Sequence, residues 1–149
     1  MQETADEALL LKNQLCFPLY AAARRITGAY TPYLRPLGLT YTQYLVLLVL
    51  WEEDGIAMSA LCGRLLLDSG TLTPVLKRME AAGLLTRERC ADDERRITIS
   101  LTETGRSLRE KVQEIPREIA RCVPLSPADA AELYRLLYLF LGEGQTAKP

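Results

Sequence analysis

The chain has 149 residues, 48% of them apolar, with 18 Lys+Arg against 19 Asp+Glu, four cysteines and no histidine. That length and apolar content predict one folded domain with its own core and exclude a disordered chain. Without histidine, a Ser-His-Asp triad or an imidazole zinc site is excluded. A formal net charge of -1 gives no overall attraction to nucleic acid, so DNA binding requires cations placed locally.

The start, Met1-Gln2-Glu3-Thr4-Ala5-Asp6-Glu7, is acidic and polar and does not read as a signal peptide. The most apolar run, Tyr44 to Trp51, is far short of a membrane span. The expectation is a soluble cytoplasmic protein, not at a membrane, with its thiols reduced. Cys16, Cys62, Cys90 and Cys122 contain no Cys-x-x-Cys pair, so neither a metal site nor any other cofactor is expected.

In chain order, three- and four-residue apolar spacing predicts a first helix over about Glu7 to Leu34, ended by Pro36 and Gly38. Thr40 and Gln43 form a capping box before a helix that is apolar nearly all round and is ended by Gly55. A short helix over about Ser59 to Leu67 and a turn at Asp68-Ser69-Gly70 follow. The next helix starts near Ser69 to Thr71, carries Leu72, Val75, Leu76 and Met79 as one stripe, and stops at Gly83. Two short strands, about Leu85 to Arg89 and Ile97 to Leu101, flank a charged turn. Thr102 caps a helix to about Cys122 with a kink or break at Pro116. Ser126-Pro127-Ala128-Asp129 starts the last one.

Two short helices joined by a tight turn and followed by a hairpin describe a winged helix-turn-helix over residues 56–101 of a single domain, 1–149. The fold class is therefore mainly α with a small β-hairpin wing. The terminal helices, 7–35 and 102–142, are too long and apolar for so small a core and predict a homodimer interface. On the recognition helix, Gly70, Thr71, Pro74, Lys77, Arg78 and Ala81 lie opposite the apolar stripe, and the wing offers Arg87, Arg89, Arg95 and Arg96. Small and cationic side chains in these places suit phosphates, base edges and a minor groove. From Ser59 to Ser100 there are seven basic and six acidic residues, so charge alone does not separate this reading from a solvated surface.

Over nearly its whole length the chain resembles the multiple-antibiotic-resistance regulator (MarR) family of dimeric winged-helix repressors. The carrying residues are Asp93-Glu94-Arg95 and, further on, Leu101-Thr102-Glu103-Thr104-Gly105. Three segments are similar to the organic hydroperoxide resistance subgroup: Leu15 to Tyr20, Leu37 to Leu45 and Leu66 to Pro74. The resemblance implies a repressor that leaves a palindromic operator in double-stranded DNA when an organic hydroperoxide oxidises a thiol. The expected DNA contacts are Ser69, Thr71, Thr73, Pro74, Lys77, Arg78 and Arg96, and the resemblance implies Arg95 as a minor-groove finger held by Asp93. Cys16 matches the reactive thiol, and Tyr30 and Tyr41 match the hydroxyls beside it. Cys122 lies in the region where some members carry a resolving cysteine; the alternative is capping of Cys16 by a small thiol.

Cys16 and Tyr30 are 14 residues apart, about 21 Å along a continuous helix. Tyr30 would then meet the Cys16 of a second subunit, not its own. Other readings stay open at this point: release by an apolar or phenolic ligand, a thiol peroxidase, or a dimerisation module without DNA binding.

Overall fold

A computed structural model describes residues 5–91 and 93–142. The expectations for residues 1–4, for Asp92 and for the tail beyond Gly142 lie outside them. The described chain is mainly helical, with a small three-stranded antiparallel sheet.

The N-terminal region is not one helix. Helix α1 (Ala5–Ala8) and a 3-10 turn (Leu11–Asn13) precede α2 (Cys16–Ala29). Leu10 and Gln14 are extended, which breaks the run expected from Glu7. Pro18 gives the physical reason: it lacks an N–H and fits without loss only in a first turn, so the helix containing it begins at Cys16. Pro32 separates α3 (Thr31–Leu34) from α2 in hydrogen bonding, yet the backbone stays α-helical through Tyr30. A 3-10 turn (Arg35–Leu37) then ends at Gly38, whose φ of 70° is left-handed.

Helix α4 (Tyr41–Glu52) opens with the capping box: Gln43 N–H donates to Thr40 Oγ1, and Thr40 N–H donates to Gln43 Oε1. It is the centre of the core, with Tyr44, Val46, Leu47, Val49 and Leu50 all buried. After Gly55 comes a two-residue strand, β1 (Ile56–Ala57), too short to leave a pattern in the sequence. Helix α5 (Met58–Leu65) ends on Leu66, which is left-handed at φ 52°. Asp68 caps α6 (Ser69–Ala81), so Ser69 and Gly70 are helical and not part of a turn. As expected, Gly83 closes α6, with φ 72° and its N–H on Glu80 C=O.

Strands β2 (Leu85–Cys90) and β3 (Asp93–Leu101) form the wing, with Leu85 opposite Leu101 and Cys90 opposite Asp93. Both run further toward the tip than predicted, because backbone pairing continues through charged residues that show no alternation. β1 pairs with the other edge of β3, Ile56 opposite Ile99, giving the order β1-β3-β2. The predicted helix from Thr102 is two: α7 (Glu103–Val112) and α8 (Ile115–Cys122), with Pro116 in the first turn of the second. Ser126 caps α9 (Pro127–Phe140).

Apart from Leu66, every large apolar side chain left exposed among the described residues lies between Leu9 and Tyr33 or between Leu125 and Leu141. Helix α9 has no buried residue at all. Leu133, Leu136, Leu137 and Phe140 thus form an unpartnered apolar face.

Candidate nucleic-acid interface and thiol site

The recognition helix α6 buries Leu72, Val75, Leu76 and Met79 and leaves Ser69, Gly70, Thr71, Pro74, Lys77, Arg78 and Ala81 exposed. Its N-terminus is fixed by Asp68, which accepts from the Thr71 N–H at 2.8 Å and the Thr71 hydroxyl at 2.9 Å. Those two bonds hold the Asp68 carboxyl below its ordinary range. Thr73 is half-buried, and its hydroxyl donates back to Ser69 C=O at 2.6 Å. Lys77 and Arg78 make no ion pair with a described residue.

Arg87, read in the sequence as a wing cation, is instead tied to α6. Its Nε and one terminal nitrogen donate to Glu80 Oε2 at 2.9 and 2.7 Å, and its N–H donates to Glu80 Oε1 at 3.1 Å. The guanidinium bond lowers the Glu80 pKa, with burial opposing it and the Arg87 backbone bond and charge adding to it. Arg89 and Arg96 are exposed on the wing. Asp93 and Arg95 lie on β3, but their side chains, like that of Cys90, are outside the described residues.

The Leu101-Thr102-Glu103-Thr104-Gly105 motif joins the wing to α7. Thr102 N–H donates to Leu84 C=O at 3.1 Å, and the Thr102 hydroxyl donates to Gly83 C=O at 2.6 Å while accepting from Gly105 N–H. A Cβ on Gly105 would lie 2.1 Å from the Leu84 carbonyl oxygen, which explains a glycine here. Trp51, at the far end of α4, donates its indole N–H to Gly105 C=O at 3.0 Å.

Cys16 is exposed as the first residue of α2, and Cys122 is exposed as the last residue of α8. Tyr30 and Tyr41 are brought together, with ring centroids 4.9 Å apart. Tyr44, which the sequence reading placed only in an apolar run, completes the cluster at 5.6 Å from Tyr30 and 6.4 Å from Tyr41. Its three-residue spacing from Tyr41 was the available signal. Burial raises all three phenol pKa values, Tyr44 to about 12, and mutual repulsion adds at Tyr41 and Tyr44. The hydroxyls therefore stay protonated donors at neutral pH. Cys16 is not in this cluster; 14 residues of α-helical backbone separate it from Tyr30, about 21 Å.

A cavity of about 260 Å³ adjoins the cluster, lined by Thr27, Thr31, Leu34, Arg35, Leu39, Thr40 and Tyr41. Cys62 is half-buried, and burial followed by the Asp68 charge pushes its thiol pKa up. Among the described residues no group of His, Cys, Asp or Glu is arranged to hold a metal, and no helix is long and apolar enough to cross a membrane.

Residues 29–114 match the family described as transcriptional regulator SarA/Rot. The chain is 48% identical over 139 residues to the organic hydroperoxide resistance transcriptional regulator of Bacillus subtilis (strain 168), covering 93% of this chain and 95% of that one. Among solved structures, it is similar to reduced AbfR bound to DNA, with a TM-score of 0.76 and 39% identity over 92% of this chain and 95% of that one. It is also similar to disulfide-formed AbfR, at 0.65 and 40% over 91% and 96%; AbfR is a protein of Staphylococcus epidermidis. By these matches and by its winged helix, the chain belongs to the MarR/SarA family of DNA-binding transcriptional regulators, which are not enzymes.

Proposed function

We propose that the protein is a homodimeric repressor that binds a palindromic operator and releases it when an organic hydroperoxide oxidises Cys16. The observation that carries this reading is the separation of Cys16 from the clustered Tyr30 and Tyr41 at opposite ends of one helical stretch. Two copies with antiparallel first helices bring the thiol of one to the phenols of the other. The exposed apolar faces of residues 9–33 and 125–141 supply the surface for that pairing, in keeping with dimerisation through residues 7–35 and 102–142. DNA contact falls to residues 56–101, through Ser69, Thr71, Thr73, Pro74, Lys77 and Arg78 on α6 and Arg95, supported by Asp93, with Arg96 on the wing.

The chemistry balances with the peroxide as oxidant. The Cys16 thiolate attacks the outer oxygen of R–O–O–H, the O–O bond breaks, and RO⁻ leaves and is protonated to the alcohol. Protonated Tyr30 and Tyr41 donate hydrogen bonds to the thiolate and to the departing oxygen. Cys16 is left as a sulfenic acid, and the Cys122 thiol of the other copy condenses with it, releasing water and forming a disulfide. Similarity to AbfR, solved bound to DNA in its reduced form and solved also in a disulfide form, supports such a cycle.

The cavity beside Tyr41 favours a second reading, release by a small apolar or phenolic ligand. Cys16→Ser separates the two. Under the first reading peroxide leaves the mutant on its operator; under the second a phenolic ligand, or the peroxide bound intact as one, displaces the mutant as it does the wild type.

A further inference from the structure

Helix α4 carries two members of the tyrosine cluster at one end, and at the other Trp51 bonds Gly105 in α7, just past the end of the wing. Tyr41 and Tyr44 stand in its first turn, and Trp51 stands near its end; its 12 residues span roughly 18 Å. Two residues past its end, Asp54 ties three segments with one carboxylate. Asp54 Oδ1 accepts from its neighbour Gly55 N–H at 2.9 Å and from Leu101 N–H at 2.8 Å. Its Oδ2 accepts from the Arg106 guanidinium at 2.7 Å.

Leu101 is the last residue of β3, two positions beyond the Ile56–Ile99 pair that begins the β1 ladder. The carboxylate stands there in place of a strand carbonyl. Arg106 is in the first turns of α7, and between Leu101 and Arg106 lies Thr102, the extended cap at which strand becomes helix. Rotation about Thr102 is the simplest way for α7 to swing relative to the wing. A carboxylate bonded on both sides of that bend stiffens it.

We propose that Asp54, with Arg106, is a positioning residue that couples the dimerisation helices to the wing, so that a displacement of α7 or α4 carries β3 with it. This rests on the thiol-driven release described above. Asp54 remains ionised at neutral pH. Burial opposes its charge, but the Leu101 N–H, the Arg106 guanidinium and the Gly55 N–H together hold its pKa below the ordinary range. Arg106 has a second, looser acid partner in Glu103 at 3.8 Å, which leaves Asp54 as its close one.

The test uses the full-length protein and a DNA fragment selected by the reduced wild type. Affinity is read by fluorescence anisotropy before and after cumene hydroperoxide, and Cys16 oxidation is read by mass spectrometry in the same samples. Oxidation of the wild type lowers affinity by a coupling factor on the order of 5- to 150-fold. In Asp54→Asn and in Arg106→Gln, Cys16 oxidises as in the wild type, but the affinity change shrinks to within about twofold. Variants that oxidise and leave DNA as the wild type does overturn the inference alone. A wild type that escapes oxidation at Cys16, or stays bound once oxidised, overturns the thiol reading and this inference with it. If Asp54→Asn does not fold, Arg106→Gln decides, because it leaves the Asp54–Leu101 bond in place.

Discussion

Arg87 on the first wing strand grips Glu80 on the recognition helix through three hydrogen bonds, so the wing and the reading helix present themselves to DNA at a fixed angle. An arginine already paired in this way is not free to neutralise a phosphate. Arg87→Ala therefore lowers operator affinity while leaving the slope of log K against log salt unchanged. Lys77→Ala and Arg78→Ala, removing cations that pair with no described residue, each flatten that slope by roughly one. Titration of binding against salt distinguishes the two behaviours.

Stability falls away at both ends of the pH scale. The carboxyls of Asp54, Asp68 and Glu80 have folded pKa values below the ordinary 3.8 for aspartate and 4.5 for glutamate. Their stabilisation is complete above those values and is lost as pH falls through the lower folded ones. Tyr44 runs the other way: its pKa rises from 10.0 to about 12, so its contribution is complete below pH 10 and lost as pH rises toward about 12. Urea midpoints measured against pH show a plateau between these windows, and Tyr44→Phe removes part of the alkaline fall.

Gly105 has no room for a side chain, because a methyl would sit 2.1 Å from the Leu84 carbonyl oxygen. Gly105→Ala has to push α7 off the end of the recognition helix and costs about 1–3 kcal/mol or more. Gly63→Ala, where nothing lies within 4 Å, is the control: at a helix-interior site it is neutral or stabilising. Denaturant unfolding of both checks the contrast.

Tyr30→Phe and Tyr41→Phe each remove one hydroxyl while keeping the ring contacts. A hydrogen bond to a charged group is worth about 1.5–3 kcal/mol, so each substitution slows oxidation of Cys16 by roughly tenfold or more. Stopped-flow oxidation by cumene hydroperoxide measures this, and equal rates in wild type and both variants contradict the role given to the phenols.

Much of the fold was legible in the sequence because local chemistry marked it. Thr40 and Gln43, Thr102 and Ser126 all cap helices, and Gly83 stops one, whereas Asp68, read as part of a turn, is a cap too. What was missed was a local signal outweighed by apolar spacing, an element too short to show a pattern, or a contact between distant residues. Pro18 broke a helix that apolar spacing had run from Glu7, and β1 is two residues long. The Arg87–Glu80 bond and the Asp54–Leu101–Arg106 set depend on partners up to 52 residues apart. Of the candidate sensor, the motif carried Tyr30 and Tyr41, while Tyr44 joined them only through the packing of α4 on Tyr30.

The central claim is that Cys16 of one copy reacts and Cys122 of the other resolves it. Non-reducing electrophoresis after treatment with an organic hydroperoxide tests it most directly. Wild type gives a dimer-sized band that a thiol reductant abolishes. Cys16→Ser and Cys122→Ser each give none alone, and mixing and refolding the two variants together restores the band, because one complete pair then spans the dimer. A dimer-sized band from either single variant, or none from the mixture, contradicts the account.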